Sequence, residues 1–115
     1  MESNKHILTF AEINRDVFDL IRNGEKKVET RAGTVKHQKV KTGDVLIFSC
    51  GDDRFEKTVK KVSHFAGIKE LLQKYTPEQI NLKIHSEQEL TEKYYIFPNY
   101  KEKITEFGLL AFELE

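Results

Sequence analysis

The sequence predicts an α+β domain: a small, curled, mostly antiparallel β-barrel with about three flanking helices. Three observations carry this. Val45 to Ser49 (Val-Leu-Ile-Phe-Ser) is a continuous apolar run of β-branched and aromatic residues, the pattern of an interior strand. Between Phe55 and Phe65 the apolar parity changes, with Phe55 and Val59 on one face and Val62 on the other. A bulge or sharp bend is therefore expected near Lys60-Lys61, as where a small sheet curls into a barrel. The remaining segments order as strand, helix, strands, helices, strand, which is an α+β layout.

Taken in order, His6 to Ala11 is a short apolar run that reads as the first strand. Ile13, Val17, Leu20 and Ile21 recur at helical spacing, with Arg15, Asp16, Asp19 and Arg22 on the other faces. Asn14 is in place as N-cap, and Asn23-Gly24 is a helix stop, since glycine accepts the left-handed conformation after the last turn. Lys27 to Arg31 reads as a strand in which Glu29 and Arg31 share one face and Val28 and Thr30 the other. Ala32 to Lys41 is polar and basic and predicts a long loop or irregular edge strand, ending in the Thr42-Gly43-Asp44 turn.

After the bent strand, Ile68, Leu71, Leu72 and Tyr75 make a short amphipathic helix. Thr76-Pro77-Glu78-Gln79 offers an N-cap, a proline at the first helical position and a capping-box glutamine. Ser86-Glu87-Gln88-Glu89 is a second capping box, opening a helix with Leu90, Tyr94 and Phe97 inward and a stop before Pro98. Tyr100 to Phe107 fits either a loop or a helical turn, and Gly108 to Glu115 reads as a final strand.

The chain of 115 residues is expected to be one domain spanning 1–115, and a monomer. It balances to zero formal charge, so affinity for a polyanion has to come from a local patch. One cysteine cannot form an internal disulfide, no apolar run approaches the roughly 20 residues of a membrane span, and Met1 to His6 lacks the apolar segment of a leader. A cytoplasmic protein with no membrane association is expected. The four histidines show no metal-ligand spacing, and no dinucleotide or phosphate-loop fingerprint appears, so neither metal nor cofactor is predicted. Cys50 has no visible base beside it and reads as a buried or idle thiol.

The chemistry gathers in Gly24 to Arg31 (Gly-Glu-Lys-Lys-Val-Glu-Thr-Arg) and the Lys41 to Asp44 turn. From Lys26 to Lys41 there are six Lys or Arg against one acid, Glu29. Two readings stand for Glu29 and Arg31. As a same-face ion pair on an exposed strand they are worth about 0.2–1 kcal/mol. As a site, Arg31 presents a planar fork to a phosphate or base edge, Glu29 orients it or acts as a base, and Lys26 neutralises a phosphate or developing charge. Lys36, Lys39 and Lys41 would form a basic rim that attracts backbone phosphates, and Tyr94, Tyr95 and Tyr100 are aromatic candidates for base stacking, with packing the expected fate of Tyr94.

Gly24-x-Lys26-x-x-Glu29-x-Arg31 after an amphipathic helix, Lys41-x-Gly43-Asp44 before Val45 to Phe48, the Lys57 to Val62 strand, Tyr94-Tyr95 and the closing Phe107 to Phe112 strand together resemble the ASCH domain family, a branch of the PUA-like superfamily of small β-barrels. The resemblance implies an open cleft lined by Lys26, Glu29 and Arg31 and suited to RNA or a modified nucleotide. Some relatives of this type are hydrolases, and one bacterial branch deacetylates N4-acetylcytidine with a threonine nucleophile. Lys26 and Arg31 match that branch's lysine and arginine, and Glu89 matches its helical glutamate. Its threonine position is Glu29 here, while Thr30 is one residue on and expected on the opposite face.

Glu89 also sits third in its capping box, where it would bond back to the helix N-cap. The sequence therefore predicts RNA or nucleotide binding at Lys26, Glu29, Arg31, Lys36, Lys39, Lys41 and Tyr95. Its first alternative is a hydrolase of a nucleoside amide or RNA phosphodiester with Lys26, Glu29 and Glu89 as catalytic candidates. The second is a protein-interaction module whose charged strand is only a salt-bridged surface.

Overall fold

In the computed structural model, residues 4–115 are described; Met1 to Ser3, the start of the segment read as lacking a leader, lie outside them. Strand β1, Lys5–Phe10, leads through a 3-10 turn at Glu12–Asn14 into helix α1, Arg15–Arg22. Phe18 and Ile21 are the fully buried residues of that helix. Ile13, expected on the inner face, is 87% exposed. The tighter 3-10 turn that holds it breaks the 3.6-residue phase of the helix. Asn14 occupies the N-cap position, but its side chain makes no capping bond. The stop works as expected: Gly24 has φ +86°, and the Lys26 N–H then returns to the Leu20 carbonyl at 3.0 Å.

Strand β2, Val28–Ala32, follows. The polar stretch after it forms a single turn, α2, Val35–Gln38, rather than a loop or irregular strand. The Thr34 carbonyl takes the N–H groups of His37 and Gln38 at 2.9 and 3.0 Å, which closes the turn. The Lys41 to Asp44 turn is structural: the buried Asp44 carboxylate accepts the Lys41 N–H at 3.0 Å and lies 2.9 Å from His6 Nε2. It ties β1 to the start of β3, Val45–Cys50.

Strand β4 runs from Asp53 to Phe65, and then come α3 (Ile68–Leu71), α4 (Pro77–Ile80), α5 (Glu87–Tyr95), α6 (Tyr100–Phe107) and β5 (Leu109–Leu114). The Thr76 box forms in full, the hydroxyl accepting the Gln79 N–H and the Gln79 side chain accepting the Thr76 N–H. Of the six helices among the described residues, α1, α5 and α6 are the longer ones, matching the expected three; α2, α3 and α4 have four residues each. No helix among the described residues is long and apolar enough to cross a membrane.

The sheet order is β1-β3-β4-β5-β2, with β1 parallel to β3 and the other pairs antiparallel. The register shifts between Val59 and Lys61, where the parity change places a bulge. The bend lets one long strand pair first with β3 and then with β5, which curls the sheet into a half-barrel. Gly108 closes the turn into β5 with φ +74°, and a Cβ there would stand 2.2 Å from the Phe65 carbonyl oxygen.

Two apolar clusters pack on this sheet. One gathers Phe18, Phe48 and Phe112 with Leu8 and Leu46 under α1. The other gathers Leu71, Leu90, Tyr94 and Leu109 under the later helices. Cys50 is fully buried in the first. Each fully buried ring or aliphatic side chain contributes about 1.5–3 kcal/mol. The two edge strands, β1 and β2, are left facing the gap that a closed barrel would seal.

Candidate functional site

Both edge strands line one cavity of 330 Å³. β1 contributes Thr9 and Phe10 at its end, and β2 contributes Glu29, Thr30 and Arg31, with Lys26 just before it. Asn14 and Val17 come from the start of α1, Ile80, Asn81 and Ile84 from α4 and the segment after it, and Leu90, Lys93, Tyr94, Phe97 and Tyr100 from the last helices. Apolar side chains form much of the wall, and a few polar groups converge on it, as in small-molecule sites.

Lys26 and Glu29 are 4% and 6% exposed, so they are not a surface pair. Lys26 Nζ donates to the Val28 carbonyl and lies 3.4 Å from Glu29 Oε1. That same carboxylate oxygen accepts the Thr30 N–H at 3.0 Å, and Arg31 Nη2 reaches Oε2 at 3.4 Å. The Arg31 guanidinium carbon lies over the Phe10 ring, 4.9 Å from its centre, a cation–ring contact across the gap between the edge strands.

Burial works against both charges. It pulls the Lys26 ammonium below the usual lysine range, against the pull of Glu29. For Glu29, burial alone would push the carboxyl up; Lys26, Arg31 and the Thr30 N–H outweigh it and hold the group below its ordinary value. The wall thus presents a fixed carboxylate beside an amine with a loosened proton.

Thr30 also lines the cavity. Its hydroxyl hydrogen-bonds the buried Tyr94 phenol, and the Tyr100 phenol accepts the Ala32 N–H at 2.9 Å. Two helices are thereby pinned to the edge strand through tyrosines whose rings stack at 5.9 Å and 22°. Burial raises the pKa of both phenols.

Neither a family model nor a curated protein matches this sequence. Solved structures do. The crystal structure of hypothetical protein PH0355 is similar with a TM-score of 0.82 and 29% identity, over 96% of this chain and 97% of that one. The solution NMR structure of protein PF0455 from Pyrococcus furiosus is similar with a TM-score of 0.75 and 27% identity, over 96% of each chain. The half-barrel and its helices thus recur end to end in both.

Lys26, Glu29 and Arg31 share one concave wall. Tyr94 and Tyr100, two of the three stacking candidates, line the same cavity, while Glu89, Lys36, Lys39, Lys41 and Tyr95 do not. Glu89 is exposed and off the cavity: its N–H donates to Ser86 Oγ at 3.1 Å, and its carboxylate takes the His85 N–H at 3.4 Å, one residue before the expected N-cap amide. Lys36, Lys39 and Lys41 are exposed on or just after α2 and form no part of the wall. Tyr95 is 43% exposed and carries Lys101 over its ring, while the buried Tyr94 faces the cavity. Thr30, expected to face away from Glu29, lines the same space because the helices fold over the end of the edge strand.

Asn14, Asn81 and Lys93 were missed by the sequence reading. Lys93 had a signal: it is three residues after Leu90 and next to Tyr94, the two residues that α5 buries. Phe97, expected on that inner face, lies beyond the end of α5 and is exposed. Asn14 and Asn81 had none, since only long-range folding brings their segments together.

Proposed function

We propose that this cavity binds a nucleoside or nucleotide, free or as a single unit of an RNA strand, and that the chain is an ASCH-type PUA-like domain. The observation that carries the reading is the convergence of Lys26, Glu29 and Arg31 with two tyrosines on one cavity between the edge strands. At 330 Å³ the space suits one small ligand and not a duplex. RNA-binding domains read single-stranded units in this way, taking unstacked bases against aromatic and guanidinium planes. Calorimetric titration with nucleosides, mononucleotides and single-stranded RNA at low salt tests the reading. RNA affinity should fall about tenfold between about 50 and 200 mM salt. No binding of any of these at low salt would sink it.

A second reading is supported by the buried Lys26–Glu29 pair beside the Thr30 hydroxyl. In it the site hydrolyses a nucleoside amide or an RNA phosphodiester, with Lys26 handling the proton. Turnover of N4-acetylcytidine or an RNA oligomer that disappears in Lys26→Met supports it. Turnover that persists in that variant, or none by the native protein, rejects it.

A further inference from the structure

The charges on the cavity wall do not balance. Lys26, Arg31 and Lys93 face one carboxylate, Glu29, in a chain whose formal charge is zero. Glu29 is already engaged by Lys26 and the Thr30 N–H through Oε1, and by Arg31 through a single 3.4 Å contact at Oε2. That contact uses one of the five donors an arginine carries. The guanidinium sits over the Phe10 ring, and the Arg31 side chain remains 21% exposed.

Lys93 forms no salt bridge among the described residues. Asp16, whose carboxyl feels its charge, is paired with Lys83 at 3.0 Å. The same cavity is lined by Ile80, Ile84 and Leu90, an apolar stretch of wall. A ligand that satisfies both kinds of lining carries an anionic group and a flat, weakly polar body.

We infer that the cavity takes a phosphate-bearing nucleotide unit whose phosphate is seated on Arg31 and Lys93. This rests on the nucleotide reading above and narrows it from nucleosides to their phosphates. Arg31 supplies the fork that matches two phosphate oxygens, and Lys93 supplies a mobile point charge. Glu29 keeps Lys26 occupied, so the deep pair is not the phosphate's partner.

The test is calorimetry at low salt with a nucleoside, its 5′- and 3′-monophosphates, inorganic phosphate, and a short single-stranded RNA without terminal phosphates. A monophosphate should bind at least about tenfold tighter than its nucleoside. Arg31→Gln and Lys93→Gln should each shrink that advantage by lowering monophosphate affinity more than nucleoside affinity, with thermal melting confirming that both variants fold. Lys93 is partly exposed on α5 and makes no buried bond, so its variant remains informative if Arg31→Gln does not fold.

Equal affinity for nucleoside and monophosphate, or an advantage that survives both substitutions, overturns the inference and leaves nucleoside binding intact. Failure of every nucleoside, nucleotide and RNA overturns the nucleotide reading itself. Inorganic phosphate binding as tightly as the monophosphates does so as well. Binding of the RNA alongside the monophosphates supports the inference with a strand as the source, and binding of monophosphates alone supports it with a free nucleotide.

Discussion

Thr30 and Tyr94 meet hydroxyl to hydroxyl where helix α5 lies over edge strand β2, and both residues are buried. Burial raises the Tyr94 pKa, so the phenol keeps its proton at neutral pH and the pair shares one hydrogen bond. Tyr94→Phe strands the Thr30 hydroxyl in an apolar setting and should lower the unfolding free energy by about 1–3 kcal/mol. Adding Thr30→Val should recover part of that loss. Urea unfolding of the two singles and the double measures the coupling, and strictly additive losses would mean the contact contributes nothing.

The Lys26–Glu29 pair should behave as a buried one. Lys26→Met leaves Glu29 with Arg31 as its one cationic partner beside the Thr30 N–H and should cost about 3 kcal/mol or more, while Lys26→Met with Glu29→Leu should cost less than the single. Denaturant midpoints decide this. A single-site loss below about 1 kcal/mol would fit an exposed pair instead.

Asp44 sets part of the acid sensitivity. Its carboxyl is held below the usual range, first by His6 and also by the Lys41 N–H. A carboxyl with a depressed folded-state pKa contributes stability above its unfolded value and loses it as pH falls through the folded value. Asp44→Asn should therefore be clearly less stable than the native chain at pH 7, with the gap narrowing as pH drops below about 4. Urea midpoints across that window test it, and a gap independent of pH contradicts the assignment.

The Ser86 cap and Glu89 separate cleanly. Ser86→Ala removes the acceptor for the Glu89 N–H and should cost about 1 kcal/mol. Glu89→Gln should change stability by less than about 0.5 kcal/mol. It should also leave ligand affinity untouched, because Glu89 lies off the cavity. A large affinity loss in Glu89→Gln, read by calorimetry, would restore it to the site.

Replacing Lys36, Lys39 and Lys41 together by Gln should leave mononucleotide affinity within about twofold of native, since all three are exposed and outside the cavity wall. A drop beyond that, measured at low salt, would bring the basic rim back into contact with the ligand.

What the sequence disclosed was local. The Thr76 box, the Gly24 stop and the Val59–Lys61 bulge each depend on residues a few positions apart, and each forms as expected. The inner stripe of α5 came through at Leu90 and Tyr94 because a helix repeats its faces. Ile13 was misplaced because a 3-10 turn changes the repeat, and α2 was hidden because its closure is polar and leaves no apolar stripe. At the site, Lys26, Glu29 and Arg31 stood out as a cluster along the chain. Asn14 and Asn81 join them only through a topology that no periodicity encodes. Glu89 and Tyr95 misled for a related reason: each sits beside a cavity residue in sequence while pointing to another side of its helix.

The strand order carries a consequence in time. β2 lies near the start of the chain, yet its ladder partner is β5, the last strand. As a ribosome delivers the chain, the charged wall at Val28–Ala32 has no neighbour to pair with until Leu109–Leu114 has emerged. The scaffold of β1, β3 and β4 can assemble beforehand, but the pocket is among the last things made. A nascent chain halted before Leu109 would hold most of its strands and no finished site, so ligand binding itself would report that synthesis has run through the final strand.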